Sequence, residues 1–220
     1  MISDNLKNIS SKLPSGTQLV AVSKFHPVEA IEEALSAGQR VFAESRPQEL
    51  EKKASALEGK DIEWHFIGHL QTNKLKMVLP YVNLVQSVDS LHLLKDIDKW
   101  GKTNGKKINV LLEMHIASEE TKQGFGEEEI LDILFNSDNY RNINFCGLMG
   151  MATNTDDAET IEADFSRISS WFDYLKDLFP EMESFRELSI GMSSDWSIAV
   201  QYGATMVRIG TAIFGERNYD

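Results

Sequence analysis

Short apolar runs of β character alternate with stretches of helical spacing along this chain, eight times over. The runs are Gln18–Ser23, Arg40–Ala43, Glu63–Ile67, Val82–Ser87, Ile108–Met114, Ile143–Met149, Glu187–Ile190 and Thr205–Ile209. Helix signals fall between them. Pro27 and Pro47 suit first helical turns, Asp89-Ser90 supply a cap, and Gly38 and Gly105 supply stops. The predicted helices cover Pro27–Ala37, Pro47–Leu57, Thr72–Leu79, Ser90–Thr103, Glu127–Phe135, Asp157–Leu178 and Asp195–Tyr202, after a short opening helix over about Asp4–Ser11.

Repeated strand–helix units with no linker or low-complexity stretch predict an α/β fold with a parallel sheet. Eight units predict a (β/α)8 TIM barrel spanning 1–220 as a single domain. That length is short for a barrel, whose norm is ~250 residues, and leaves little room for a second domain. A doubly wound open sheet has the same periodicity and stays open as the alternative.

With 34 acidic against 22 basic residues the formal charge is −12, which argues against a nucleic-acid partner, since phosphate backbones need a basic face. No signal-peptide pattern opens the chain, and its apolar stretches fall well short of the ~20 residues that span a bilayer. A cytoplasmic protein without a membrane partner is expected. The lone Cys146 rules out an intrachain disulfide and reads as a buried packing residue.

In a barrel the chemistry sits at the C-terminal ends of the strands. Lys24 immediately follows the first strand there. Burial against apolar neighbours lowers a lysine's pKa toward the neutral amine that attacks a carbonyl, although a strand-end lysine is by itself also an ordinary surface residue. The loops after the seventh and eighth strands are a frequent phosphate site in barrels. Here they read Ser189-Ile-Gly-Met-Ser-Ser-Asp195 and Ile209-Gly-Thr211, rich in glycine and hydroxyls, with helix N–H groups expected near Asp195. Small-residue turns would look the same singly; both loops at the two expected strand ends favour an anion site. Alternation places Arg208 opposite Val207 and Ile209, hence inside the barrel. There it either forms an ion pair with Glu44 or Glu113 or faces a ligand.

Other constellations are weaker. His65 and His69 stand four apart, but Gly68 and the strand pattern argue against a helical metal pair, and His65 reads as a polar strand residue near the barrel mouth. Gly191-Met-Ser193 lacks the frame of a nucleophile elbow.

Six blocks together resemble the pyridoxal phosphate homeostasis proteins (the YggS/PROSC family). They are Val20-Ala-Val-Ser-Lys24, Phe42-Ala-Glu-Ser-Arg-Pro-Gln-Glu49, Trp64-His-Phe-Ile-Gly-His-Leu-Gln-Thr-Asn-Lys74, Gly147-Leu-Met-Gly-Met151, Ser189-Ile-Gly-Met-Ser193 and Met206-Val-Arg-Ile-Gly-Thr-Ala-Ile-Phe-Gly215. The resemblance implies a barrel like the cofactor domain of alanine racemase, holding pyridoxal 5′-phosphate (PLP) as a Schiff base on Lys24. It further implies that Arg208 faces the pyridine nitrogen and that Ser193, Gly210 and Thr211 bind the phosphate, with His65 and Met149 beside the cofactor. The family usually reads Gly-Glu-Asn-Tyr where this chain has Ala43-Glu-Ser-Arg46. Ser45 therefore replaces an asparagine that approaches the cofactor, and its shorter hydroxyl would need a water or a shifted backbone to do the same.

An arginine at the ring nitrogen keeps that nitrogen unprotonated and weakens the ring as an electron sink. Together with a length that leaves no room for the racemases' second domain, this favours a non-catalytic carrier that supplies PLP to apo-enzymes. A PLP-dependent racemase or related enzyme is the alternative, and a PLP-independent scaffold is a third class.

Overall fold

A computed structural model describes residues 1–119 and 123–216 of the chain. Its strands are β1 (Gln18–Val22), β2 (Val41–Glu44), β3 (Glu63–Phe66), β4 (Leu84–Val88), β5 (Ile108–Glu113), β6 (Ile143–Met149), β7 (Glu187–Ser189) and β8 (Met206–Ile209). All pair in parallel and in chain order, and β1 closes onto β8 in the register Gln18↔Met206 through Ala21↔Ile209. That closing pair rules out the open sheet.

The helices are α1 (Ile2–Ser10), α2 (Val28–Ser36), α3 (Pro47–Ala56), α4 (Leu75–Val78), α5 (Leu91–Asn104), α6 (Glu127–Phe135), α7 (Ala158–Leu178), α8 (Trp196–Ala199) and α9 (Thr211–Phe214). Their ends follow local chemistry. Pro47 opens α3, Ser90 accepts from the Leu93 N–H at the start of α5, Gly105 ends that helix at φ 62°, and Asp157 accepts from the Thr160 N–H of α7. Two expected helices have the expected extent but are only partly α-helical. The helix predicted after β3 is a 3-10 turn over Thr72–Lys74 followed by the single turn of α4, and the one predicted after β7 is α8 with a 3-10 turn over Val200–Tyr202. α9 was not anticipated.

Alternation divides each strand between two cores. Val85, Val110, Leu112, Val207 and Ile209 face outward and join Ile31, Leu50, Leu94, Ile130 and Phe165 of the surrounding helices. Each such side chain, fully buried, contributes ~1.5–3 kcal/mol. Val20, Val22, Val41, Ala43, Leu84, Leu111, Met149 and Met206 form a separate cluster inside the barrel. Polar residues at inward positions share this lumen: His65, Gln86, Glu113, Ser189 and Arg208, all buried.

An irregularity in β6 re-aims a side chain into this lumen. The register moves from Val110↔Phe145 to Leu111↔Gly147, so Cys146 is an extra residue, a bulge. Ile143 and Phe145 before it and Leu148 after it all face the outer core, and the changed parity turns Met149 into the lumen. Gly147 sits at φ +144°, and a Cβ there would come within 1.8 Å of the Glu187 carbonyl oxygen. Only glycine fits. Cys146, expected to be buried, is half-buried at the bulge, and burial pushes its thiol up to about 11, leaving it unreactive at neutral pH.

Candidate functional site

The strands' C-terminal ends surround a cavity of about 290 Å3 lined by Lys24, Met149, Ser193, Arg208, Gly210 and Thr211, among others. Six of the eight residues singled out in the sequence thus meet in one place, drawn from β6, β8 and the loops after β1, β7 and β8.

Lys24 is half-buried, two residues beyond the end of β1. Phe25, directly after it, is the sole non-glycine with positive φ among the described residues, at 67°. Such a conformation costs an ordinary side chain ~1–3 kcal/mol and persists only where neighbours hold it.

The two expected anion loops come together across the barrel seam. The Gly210 N–H donates to Ser193 Oγ at a long 3.3 Å, so hydroxyl and backbone donors of both loops converge on one spot. The helix after β7 contributes less than expected. It is one turn long, and the buried carboxylate of Asp195 accepts the Met192 N–H at 2.5 Å, occupying a loop donor near its start.

Arg208 forms the floor. Its Nη1 donates to the Ser189 carbonyl and Ser189 Oγ, both at 2.7 Å, and its Nη2 donates to the Gly150 carbonyl at 2.9 Å. The ion pair considered with Glu44 does not form: Glu44 lies outside the lumen, where Lys53 Nζ is 2.8 Å from it. Glu113 is inside the lumen and acts on Arg208 through its charge, but among the described residues Arg208 has no ion-pair partner within 4 Å. Burial pulls Arg208 down to about 10, opposed by Glu113 and Asp195, so it is cationic at neutral pH. Burial, reinforced by Asp89, pushes the Glu113 carboxyl up to about 7 against the pull of Arg208 and His69.

His65 and Ser45 do not line the cavity. His65 is buried deeper in the lumen, where Gln86 Nε2 lies 2.8 Å from its Nδ1, and Gln86 Oε1 accepts from Ser189 Oγ at 2.7 Å. The direction of this chain of bonds follows from its first member. A guanidinium only donates, so Ser189 accepts from Arg208 and passes its own proton to Gln86 Oε1. The amide then donates to His65 Nδ1, which places the histidine's proton on Nε2. Burial holds His65 down at about 4, consistent with a neutral ring. His65 therefore supports Arg208 through Gln86 and Ser189. Ser45 is half-buried just past β2, and its backbone passes so near Gly68 that a Cβ there would be 2.1 Å from the Ser45 carbonyl. That contact packs the two loops together, and Ser45 is not part of the cavity wall.

The sequence reading missed His26, Ile67, Met151, Met192 and Ser194 on the wall. All five lie within two residues of a candidate position, so chain neighbourhood was the available signal. His26 stacks on Phe214 of the unanticipated α9, with ring centroids 5.1 Å apart. His69, far from being paired with His65, bonds Asp89 at 2.7 Å.

The family described as alanine racemase, N-terminal domain matches residues 1–218. Among curated relatives, the pyridoxal phosphate homeostasis protein of Pasteurella multocida is 40% identical over 207 residues, covering 93% of this chain and 88% of its own. That of Aquifex aeolicus is 37% identical over 202 residues, covering 92% and 88%. Among solved structures, PipY of Synechococcus elongatus with PLP bound has a TM-score of 0.90 at 34% identity, covering 98% of this chain and all of that one. Alanine racemase of Clostridium difficile, at 18% identity and a TM-score of 0.77, shares the fold over 57% of its length. The chain belongs to the pyridoxal phosphate homeostasis protein family, built on the barrel of the alanine racemase N-terminal domain.

Proposed function

We propose that this protein binds PLP reversibly on Lys24 and supplies it to apo-enzymes, without turning over a substrate of its own. The observation that carries this reading is the meeting of an amine, a buried guanidinium and two hydroxyl- and glycine-bearing loops in a single cavity. The donor set fits the cofactor. PLP, when bound, supplies an aldehyde that condenses with a lysine amine to a Schiff base and releases water.

Lys24 would provide that amine from the β1 side. Ser193, Gly210 and Thr211 would take the phosphate, the long Gly210–Ser193 contact giving way to shorter, charge-assisted bonds. Arg208, anchored by its three bonds to Ser189 and Gly150, would face the ring nitrogen. With its pKa near 10 it donates a hydrogen bond there but does not give up its proton at pH 7. This withholds from the ring a positive charge that would strengthen it as an electron sink for carbanion chemistry. Among the described residues, the wall on the β6 and β7 sides (Met149, Met151, Met192, Ser193 and Ser194) carries no acid or base, and His26, which lines the cavity from the β1 side, stacks on Phe214. Holding is better served than catalysis.

The test is to add PLP to the purified protein, reduce with borohydride and map the adduct by mass spectrometry. A visible band and a label on Lys24, both absent in Lys24→Ala, are expected. Protein that carries neither an aldimine band nor a Lys24 label once unbound PLP is removed would refute the cofactor site. Transfer to an apo-enzyme should exceed release into buffer, and exchange of L- and D-amino acids should stay far below ~1 per second, the low end of ordinary turnover.

A further inference from the structure

Lys24 is gripped on both sides by residues that lie outside the cavity. The Ser23 hydroxyl donates to Glu44 Oε1 at 2.7 Å, and the Ser23 carbonyl accepts from Lys53 Nζ at 2.8 Å. On the other side, the Phe25 N–H donates to Glu49 Oε2 at 2.9 Å, and the Arg46 guanidinium lies 4.2 Å from the centre of the Phe25 ring. Lys53 ties the two halves together, donating to Glu44 Oε1 at 2.8 Å and Glu49 Oε2 at 3.0 Å. With the Ser23 carbonyl, that is one bond for each ammonium proton.

Stability does not account for this arrangement. Glu44 is wholly buried and Lys53 nearly so, at 0% and 7% side-chain exposure, and a buried ion pair is no more stabilising than well-packed apolar residues of similar volume. Among the described residues, Glu44 Oε2 is also buried with no hydrogen-bond partner. The cluster instead holds the backbone on both sides of one side chain, and it holds Phe25 in the left-handed conformation that a non-glycine residue avoids.

We infer that Glu44, Glu49 and Lys53 are positioning residues that fix the backbone of Ser23 and Phe25 so that the Lys24 amine projects into the cavity. This rests on the reading of Lys24 as the Schiff-base lysine. None of the three touches the cavity. Their loss should therefore affect the covalent link and spare the contacts that hold phosphate and ring.

The experiment compares PLP with pyridoxine 5′-phosphate, which keeps the ring and phosphate but carries an alcohol in place of the aldehyde. In Glu49→Ala, the rate and extent of borohydride-trapped Lys24 adduct should fall at least about 10-fold, as a misplacement of order 1 Å produces. Affinity for pyridoxine 5′-phosphate should change less than about twofold, because its phosphate and ring contacts are untouched. Adding Phe25→Gly to Glu49→Ala should recover much of the adduct, since glycine adopts positive φ without help. An undiminished adduct, equal losses for both ligands, or no recovery with glycine would each overturn the inference. If Glu49→Ala does not fold, Lys53→Arg answers the same question with the same two ligands, keeping the charge but not the three-way geometry. The wild type separates the two readings. No Lys24 adduct in wild type sinks the Schiff-base reading itself; an adduct present there and undiminished in the variants sinks only the positioning role.

Discussion

Replacing Glu113 with glutamine should stabilise the protein at alkaline pH and weaken it slightly in acid. Glu113 is 6% exposed in the lumen, where burial and Asp89 raise its carboxyl from 4.5 to about 7. A carboxyl whose pKa is higher in the folded than in the unfolded chain binds its proton more tightly when folded. Its favourable contribution is complete below pH 4.5 and is lost as pH rises through about 7. At about 1.4 kcal/mol per tenfold, the difference between those values corresponds to about 3 kcal/mol. Glutamine has no charge to bury and escapes that loss, but its amide must find a partner in the lumen, at a cost of about 1 kcal/mol. The net expectation at pH 8 is about 2 kcal/mol of added stability, or roughly 4–8 °C in Tm for a chain of this size. Urea unfolding of both proteins at several pH values between 4 and 8.5 measures this directly. The variant's midpoint should lie slightly below that of the wild type near pH 4.5, cross it as pH rises, and stand above it at pH 8. A difference independent of pH, or a variant weaker at pH 8, would refute the account of Glu113 as a carboxyl held against its charge.

The remaining predictions concern the lumen, the bulge and the anion loops. Gln86→Leu removes the link between His65 and Ser189 and should cost about 2–4 kcal/mol in denaturant unfolding, because two buried polar groups lose a partner. Gly147→Ala forces a methyl into the Glu187 carbonyl and should destabilise by about 3 kcal/mol or more, read as loss of soluble protein or a lowered Tm. Ser193→Ala combined with Thr211→Ala should weaken PLP at least about 10-fold in equilibrium dialysis while leaving pyridoxal, which has no phosphate, unaffected.

How much of the structure was legible in the sequence depended on the range of the interaction. Strand and helix order was legible because each element carries its own periodicity and caps, as in Val207-Arg208-Ile209 or the Asp157 start of α7. Arg208's inward direction followed from the same alternation. Its partners did not, since Ser189 and Gly150 lie on or just past other strands and are brought near only when the barrel closes. Parity in β2 already spoke against Glu44, because Phe42 faces the outer core and Glu44 shares its side. A strand predicted to stop at Ala43 hid that clue. The direction of Met149 could not be read by simple alternation, because the Cys146 bulge shifts the count by one. The Lys53 clamp was hidden for a third reason: a lysine on a helix reads as solvent-facing until the strand end behind it is known to carry a carboxylate.

The position of the cavity links binding to closure of the fold. Lys24 follows β1 and Arg208 belongs to β8, and these are the two strands whose pairing shuts the barrel, with Val20 opposite Arg208 in register. Gly210 lies against β1 as well, where a Cβ would come within 3.1 Å of the Val22 carbonyl. A chain with this seam open cannot bring the amine, the guanidinium and the β8 loop together, so a ligand that needs all three binds the closed state alone. At 100 times its Kd such a ligand adds ~2.7 kcal/mol to the stability of the closed barrel. Amide hydrogens of β1 and β8 whose exchange requires opening of the seam should then slow about 100-fold on PLP binding. Slowing confined to the loops, with the seam amides unchanged, would mean that the ligand is held by one side of the seam only.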